Sequence, residues 1–261
     1  MTSPTFLQSP TPIIGIVGGV GPYAGLDLQQ KILEQTIAVR DQDHLPVIAV
    51  SWPDAIPDRT AYLLGETADN PAGPLLAQLA LLSRMGATVA GIPCNTAHAA
   101  PIFDVVEAGV AQFERPLRLV HMIREVAAYL QKAYPDVQRV GVLSTTGTYR
   151  AQLYPGILEP LGFGVVAPGR EMQETLVHPA IYDPDYGIKA NGQATERSRA
   201  DLLAVIAALQ EKGAQAVVLG CTELPLAFPE REVAGLPLVD PTLVLARALI
   251  RVADAVRLQD L

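Results

Sequence analysis

The 261-residue chain is poor in cysteine, in lysine and in clustered positive charge. Its two cysteines, Cys94 and Cys221, are too few for the disulfide framework of a small secreted domain and are expected to be free thiols. No cationic segment leads into an apolar stretch and a small-residue cleavage site at the start, and no run is long and apolar enough to span a bilayer. Cytoplasm is therefore the expected compartment, with no membrane partner. Basic runs are absent too, and the formal net charge is −8, which argues against the clustered Lys and Arg surface of a nucleic-acid binder. Charged residues make up 18% and hydrophobic residues 49%, the balance of a well-packed globular chain rather than a disordered or fibrous one.

The two cysteines sit at matching points of an internal repeat. One copy runs Leu82, Gly86-Ala87, then an apolar stretch into Pro93-Cys94-Asn95-Thr96; the other runs Leu209, Gly213-Ala214, then a similar stretch into Gly220-Cys221-Thr222-Glu223. A second match at nearly the same offset pairs Ile14-Gly15-Ile16-Val17 and its loop Gly18-Gly19-Val20-Gly21 with Val140-Gly141-Val142-Leu143 and its loop Ser144-Thr145-Thr146-Gly147. Two matches imply duplication, with residues 1–120 as a first α/β domain, 121–237 as a second, and 238–261 packing back on the first. Halves facing each other about a pseudo-twofold axis would bring both cysteine loops to one cleft from opposite sides, an arrangement suited to removing and returning a proton.

Residues 1–12, with Pro4, Pro10 and Pro12, read as a flexible lead-in. Short apolar runs at 13–17, 46–50, 88–92, 117–120, 139–143, 163–166, 215–219 and 236–239 read as buried strands, separated by helical patterns; 52–71 reads as irregular. That alternation predicts α/β architecture with parallel sheets covered on both faces. Ligands bind such sheets beyond the carboxyl ends of the strands, where both cysteines and both glycine- or threonine-rich loops fall.

A lone buried cysteine is ordinarily an inert small hydrophobe. Here each ends a strand of the repeat and is followed by amide or hydroxyl side chains, Asn95 and Thr96 or Thr222, and Cys94 is expected to precede a helix N-terminus that would favour a thiolate. One cysteine tuned to the thiolate and one kept protonated would supply a base and an acid. Removing the α-proton of an amino acid spreads charge into its carboxylate, so preorganised donors are required; the Gly18–Pro22 turn, Asn95, Thr96, the Thr145–Thr148 turn and Thr222 are candidates, although turn and capping chemistry explains each singly.

Rival readings are weaker. Gly19-Val20-Gly21-Pro22-Tyr23-Ala24 fits the dinucleotide pattern G-x-G-x-x-A, but no acidic residue closes the second strand where a ribose would be held. Cys94 and His98 have the spacing of metal ligands on a helix, without a second histidine or carboxylate in register, so no metal is expected. Lys189, one of four lysines, could form a Schiff base, but no further cofactor signature accompanies it, and no cofactor is expected. A cysteine hydrolase would need His98 as the base beside one thiol. A carboxylate-binding protein without catalysis would have no use for paired thiols.

The motifs resemble those of the aspartate/glutamate racemase superfamily, in its cofactor-independent aspartate racemase branch. The similarity spans roughly residues 13–256 and rests on Gly18-Gly19-Val20-Gly21-Pro22, Arg40-Asp41-Gln42-Asp43-His44, Ile56-Pro57-Asp58-Arg59-Thr60, Pro93-Cys94-Asn95-Thr96-Ala97-His98, Thr145-Thr146-Gly147-Thr148 and Gly220-Cys221-Thr222-Glu223. The resemblance implies two flavodoxin-like domains related by pseudosymmetry, an active site between them, and usually a homodimer. It implies that Cys94 and Cys221 are acid/base thiols on opposite faces of the α-carbon of an acidic amino acid. Asn95, Thr96, Thr146 and Thr222 would bind its α-carboxylate and amino group, Arg59 and Lys189 its side-chain carboxylate, with Thr60, Gly19 and Gly21 alongside. A glutamate or broad-specificity racemase, or a dicarboxylate isomerase, is the alternative within the superfamily. The chain departs from the family pattern at Val20, where methionine is frequent, at Ser51–Ala55, and in the longer Tyr182–Tyr186 loop.

Overall fold

The computed structural model describes residues 11–260; the expected lead-in lies outside the described residues apart from Thr11 and Pro12. Two sheets organise the chain. The first holds β1 (Ile14–Gly18), β2 (Val47–Ser51), β3 (Val89–Gly91) and β4 (Arg118–Val120), all parallel in the order β2-β1-β3-β4. The second holds β5 (Arg139–Ser144), β6 (Gly164–Val166), β7 (Ala216–Gly220), β8 (Glu232–Val233) and β9 (Leu236–Val239), in the order β6-β5-β7-β9-β8. Its strands are parallel except for the β8–β9 pair, which is antiparallel. Four strands of the second sheet thus repeat the order of the first.

The repeat persists at the level of atoms. A Cβ placed on Gly15 would meet Leu82, Ala87 and Ala90 at 3.2–3.3 Å, and one on Gly141 would meet Leu209, Ala214 and Val217 at 3.2 Å. These are corresponding positions of the two copies, so glycine in each first strand lets the helix before the cysteine strand settle against the sheet. Alternation along the strands sorts side chains between layers. Ile14 and Ile16 of β1 and Val140 and Val142 of β5 enter one central core shared with Leu28, Ile32, Leu245 and Leu249. Val17 turns to an outer core with Leu75 and Leu79, and Leu143 to another with Leu202 and Leu209.

The helix Pro241–Asp254 fills part of the central layer, with Leu245 and Leu249 seated over Gly91 of β3. Its N-cap, Asp240, accepts from the backbone N–H of Thr242 and Leu243 at 2.8 and 3.2 Å and also holds Lys31 of the helix Pro22–Gln35 at 2.6 Å. Lys31 bonds Asp27 on its own helix at 2.5 Å. All three side chains are below 20% exposed, so removing the cation strands two carboxylates. Lys31→Met is expected to lower unfolding free energy by about 3 kcal/mol in chemical denaturation; a loss below about 1 kcal/mol, the range of a surface pair, would mean that water already screens the cluster.

Two local expectations are corrected. The segment 52–71 is not all irregular: Asp58 accepts from Ala61 N at 2.8 Å and caps a short helix, Arg59–Leu63, too brief to show apolar periodicity. The helix expected directly after Cys94 is only a 3₁₀ turn, Thr96–His98; Ala99 is extended and the α-helix starts at Ala100. Pro101 has no N–H to bond back into a continuous helix from Cys94, so the dipole does not bear directly on that thiol.

Candidate functional site

β3 and β7 end at Gly91 and Gly220, and the loops beyond them deliver Cys94 and Cys221 to one cavity. Both thiols are free and buried. Arg59, Thr60, Cys94, Asn95 and Thr96 reach the cavity from the first half, and Thr145, Tyr182, Lys189, Cys221, Thr222 and Glu223 from the second. The space left among them is on the order of one water molecule.

The halves are drawn together around it by short polar and steric contacts. Thr96 Oγ1 lies 3.1 Å from Thr145 Oγ1 and 3.0 Å from Thr148 Oγ1. Tyr154 Oη donates to Asn95 Oδ1 at 2.5 Å. Glycine permits three further approaches: Gly21 abuts the Glu223 carboxylate, Gly147 abuts Thr60, and Gly192 abuts the Tyr23 ring. Gly21 and Gly192 also have φ of 81° and 67°, left-handed backbone that a side chain would strain.

The surroundings of the two thiols differ. Arg59 faces Cys94. Burial works against the guanidinium charge, and Coulomb attraction to Cys94 and then Asp58 more than offsets it, holding Arg59 above its usual range. Cys221 instead donates its S–H to Glu223 Oε2 at 3.1 Å, while Glu223 Oε1 accepts from Lys189. Burial first, and the Glu223 charge second, push the Cys221 thiol well above its ordinary value. Glu223 stays ionised below the usual carboxylate range because Lys189 and the hydrogen bonds from Cys221 and Thr222 outweigh its burial. Lys189 is charged: burial opposes this, but Glu223 raises its pKa. A cation so paired is a poor Schiff-base amine, which needs its neutral form.

Two buried donors in this cavity have no partner, Asn95 Nδ2 and Arg59 Nε. Buried donors without acceptors are costly and mark places where an anionic ligand would be rewarded.

Of the residues singled out from the sequence, Cys94, Cys221, Arg59, Thr60, Asn95, Thr96, Lys189 and Thr222 all line the cavity. Gly19, Gly21 and Thr146 do not. Gly19, at φ 76°, lets the turn pass within 2.9 Å of the Trp52 and Pro53 backbone, and Val20 presents the loop to the cavity. Thr146 Oγ1 pairs with His178 Nδ1 at 3.1 Å, and its neighbour Thr145 faces the thiols instead. Sequence reasoning missed Glu223, Tyr182 and Tyr154 as members or supports of the site, and within the Thr145–Thr148 turn it singled out Thr146 rather than Thr145. Glu223 stood in a quoted motif, and its place directly beyond a cysteine-threonine pair was the available signal.

His98 does not reach either thiol through its ring. Nδ1 lies 2.8 Å from the Cys94 carbonyl oxygen, and burial lowers the imidazole pKa to about 4, so it is neutral and bound to backbone. That removes the thiol–imidazole pair a cysteine hydrolase requires. Among the described residues no group of three or more His, Cys, Asp or Glu side chains is placed to hold a metal ion, and no helix is long and apolar enough to cross a membrane.

Known proteins show the same architecture. An aspartate racemase from Picrophilus torridus superposes with a TM-score of 0.76 at 28% identity, over 93% of this chain and 94% of that one. An aspartate racemase homologue from Pyrococcus horikoshii OT3 gives 0.69 at 27% identity, over 92% and 98%. By sequence, a glutamate racemase from Pseudomonas aeruginosa is 27% identical over 228 residues, 85% of this chain and 73% of that protein. The Asp/Glu/Hydantoin racemase model matches residues 17–249, nearly the whole length described, and the chain belongs to that family.

Proposed function

We propose that the protein racemises aspartate without pyridoxal phosphate, Cys94 and Cys221 exchanging a proton across the α-carbon. The observation that carries this reading is the pair of buried free thiols reaching one cavity from the two halves, one facing a guanidinium and the other bonded to a carboxylate. A thiolate at Cys94 would be stabilised by Arg59 as it removes the proton; the thiol of Cys221 would return one to the opposite face. In the reverse direction the roles exchange.

Two cations support an acidic substrate: Arg59 and Lys189 line the cavity, where they balance Glu223 and the Cys94 thiolate that the reaction needs. Asn95 Nδ2 and Arg59 Nε are the free donors for the substrate carboxylates, while the hydroxyls of Thr96, Thr145 and Thr222 are already paired within the site. The free volume admits neither aspartate nor glutamate, so binding requires the halves to part at the Gly147–Thr60 and Gly192–Tyr23 contacts before closing around the substrate. Closure then excludes water from the carbanion and strengthens each electrostatic contact. A homodimer fits the exposed apolar stripe of Tyr23, Leu26 and Leu33 on the helix Pro22–Gln35.

The test is proton NMR of L-aspartate and of L-glutamate in D₂O with reduced protein and no added cofactor, alongside chiral separation. Loss of the α-proton signal with appearance of the D-form, faster for aspartate, is the expected result. Faster glutamate would move the assignment to a glutamate racemase, and no exchange with either would overturn it.

A further inference from the structure

Tyr154 touches both cysteine loops. It is 1% exposed, on the short helix Leu153–Leu158 of the second half. Its hydroxyl bonds Asn95, next to Cys94, and its ring lies 2.9 Å from where a Cβ of Gly220, next to Cys221, would stand. Gln152 holds left-handed backbone, φ 51°, just before this helix, an unfavourable conformation for a non-glycine residue that the surrounding fold must enforce.

The direction of the Tyr154–Asn95 bond has a chemical consequence. A buried phenol must find an acceptor for its proton. The carbonyl end of the Asn95 amide supplies it, so the NH₂ end is turned away, and Nδ2 is the buried donor without a partner. Were the amide to flip, the phenolic proton would lose this acceptor and a carbonyl oxygen would face an incoming carboxylate. Thr222, which follows Cys221 as Asn95 follows Cys94, has already given its hydroxyl to Glu223 Oε2 at 3.3 Å. Among the described residues that line the cavity, the unpartnered side-chain amide donor is therefore on the Cys94 side.

We propose that Tyr154 is a positioning residue: its hydroxyl fixes Asn95 with the amide N–H groups toward the substrate carboxylate, while its ring sets the approach of the Cys221 loop. The role in turnover rests on the racemase reading; the amide orientation does not. Tyr154→Phe keeps the ring against Gly220 and deletes only the hydroxyl. It is expected to raise KM for aspartate about tenfold, with kcat changed less than threefold, the split expected when a ground-state contact is lost. In an Asn95→Ala background the same change should cost less than twofold, because the two residues act through one bond. A tenfold penalty that persists without Asn95, or an unchanged KM, overturns the proposal.

A second readout does not depend on turnover. In ¹⁵N-labelled protein the Asn95 side-chain amide signal, assigned by its disappearance in Asn95→Ala, should shift and broaden in Tyr154→Phe as the amide becomes free to rotate. An unmoved signal in folded Tyr154→Phe overturns the orienting role whatever the enzyme's substrate. Wild-type protein that fails to exchange the α-proton while the amide responds as expected would sink the racemase reading and leave the positioning intact.

Discussion

Serine in place of either Cys94 or Cys221 is expected to lower aspartate racemisation by a factor on the order of 10³, and serine at both to cost little more than the worse single change. A hydroxyl is nearly the size of a thiol and can still donate a hydrogen bond, but it gives up its proton far less readily, so the substitution tests proton transfer while sparing the packing. Each direction of a two-base racemisation needs one thiolate and one thiol, so losing either group stops both directions. The pair should therefore be grossly non-additive. Chiral separation of product from pure L- and pure D-aspartate measures this, with binding of the dicarboxylate succinate by calorimetry as the control for an intact cavity. Either single variant retaining more than a tenth of wild-type turnover would remove the two-thiol mechanism. Unchanged succinate binding in protein that never racemised aspartate would favour a carboxylate-binding role.

The fold was legible because its signals are local and repeated. Buried strands of a parallel sheet show as short apolar runs, and a glycine such as Gly15 or Gly141 recurs where a helix must approach the sheet. The cysteines stood out for the same reason: two rare residues at corresponding places need a common explanation. What stayed hidden depends on register or on contacts across the chain. Thr145 and Thr146 are adjacent and chemically alike, and only the cap geometry, with Thr145 Oγ1 accepting from Thr148 N at 3.3 Å, decides which of them faces the thiols. Tyr154 is an ordinary core aromatic until the fold carries it to Asn95, and nothing local distinguishes it. The helix dipole expected to assist Cys94 failed on a single proline, and Arg59, brought in by a five-residue helix, stands in its place.

Glu223→Gln is expected to move the alkaline limb of log kcat/KM against pH downward by about 1–3 units. Arg59 and Lys189 give the two thiols matching cations, and Glu223 breaks that symmetry: it neutralises Lys189 and accepts the Cys221 proton. Burial and then the carboxylate charge raise the Cys221 pKa. Glutamine removes the charge and leaves burial, and the freed Lys189 cation acts in the same direction, so the thiol must titrate lower. Cys221 then loses, at mildly alkaline pH, the proton it has to deliver. Because L- and D-aspartate are equal in free energy, kcat/KM must be the same in both directions at every pH, and the limb should move together for the two enantiomers. Any preference for one thiol's resting charge can appear only as compensating changes in kcat and KM. Labelling with iodoacetamide, followed residue by residue with mass spectrometry, provides a check without turnover: Cys221 should become reactive at lower pH in Glu223→Gln, while Cys94 is little affected. An alkaline limb and a Cys221 labelling curve that both stay in place would mean that burial alone sets this thiol, and that Glu223 serves only to hold Lys189.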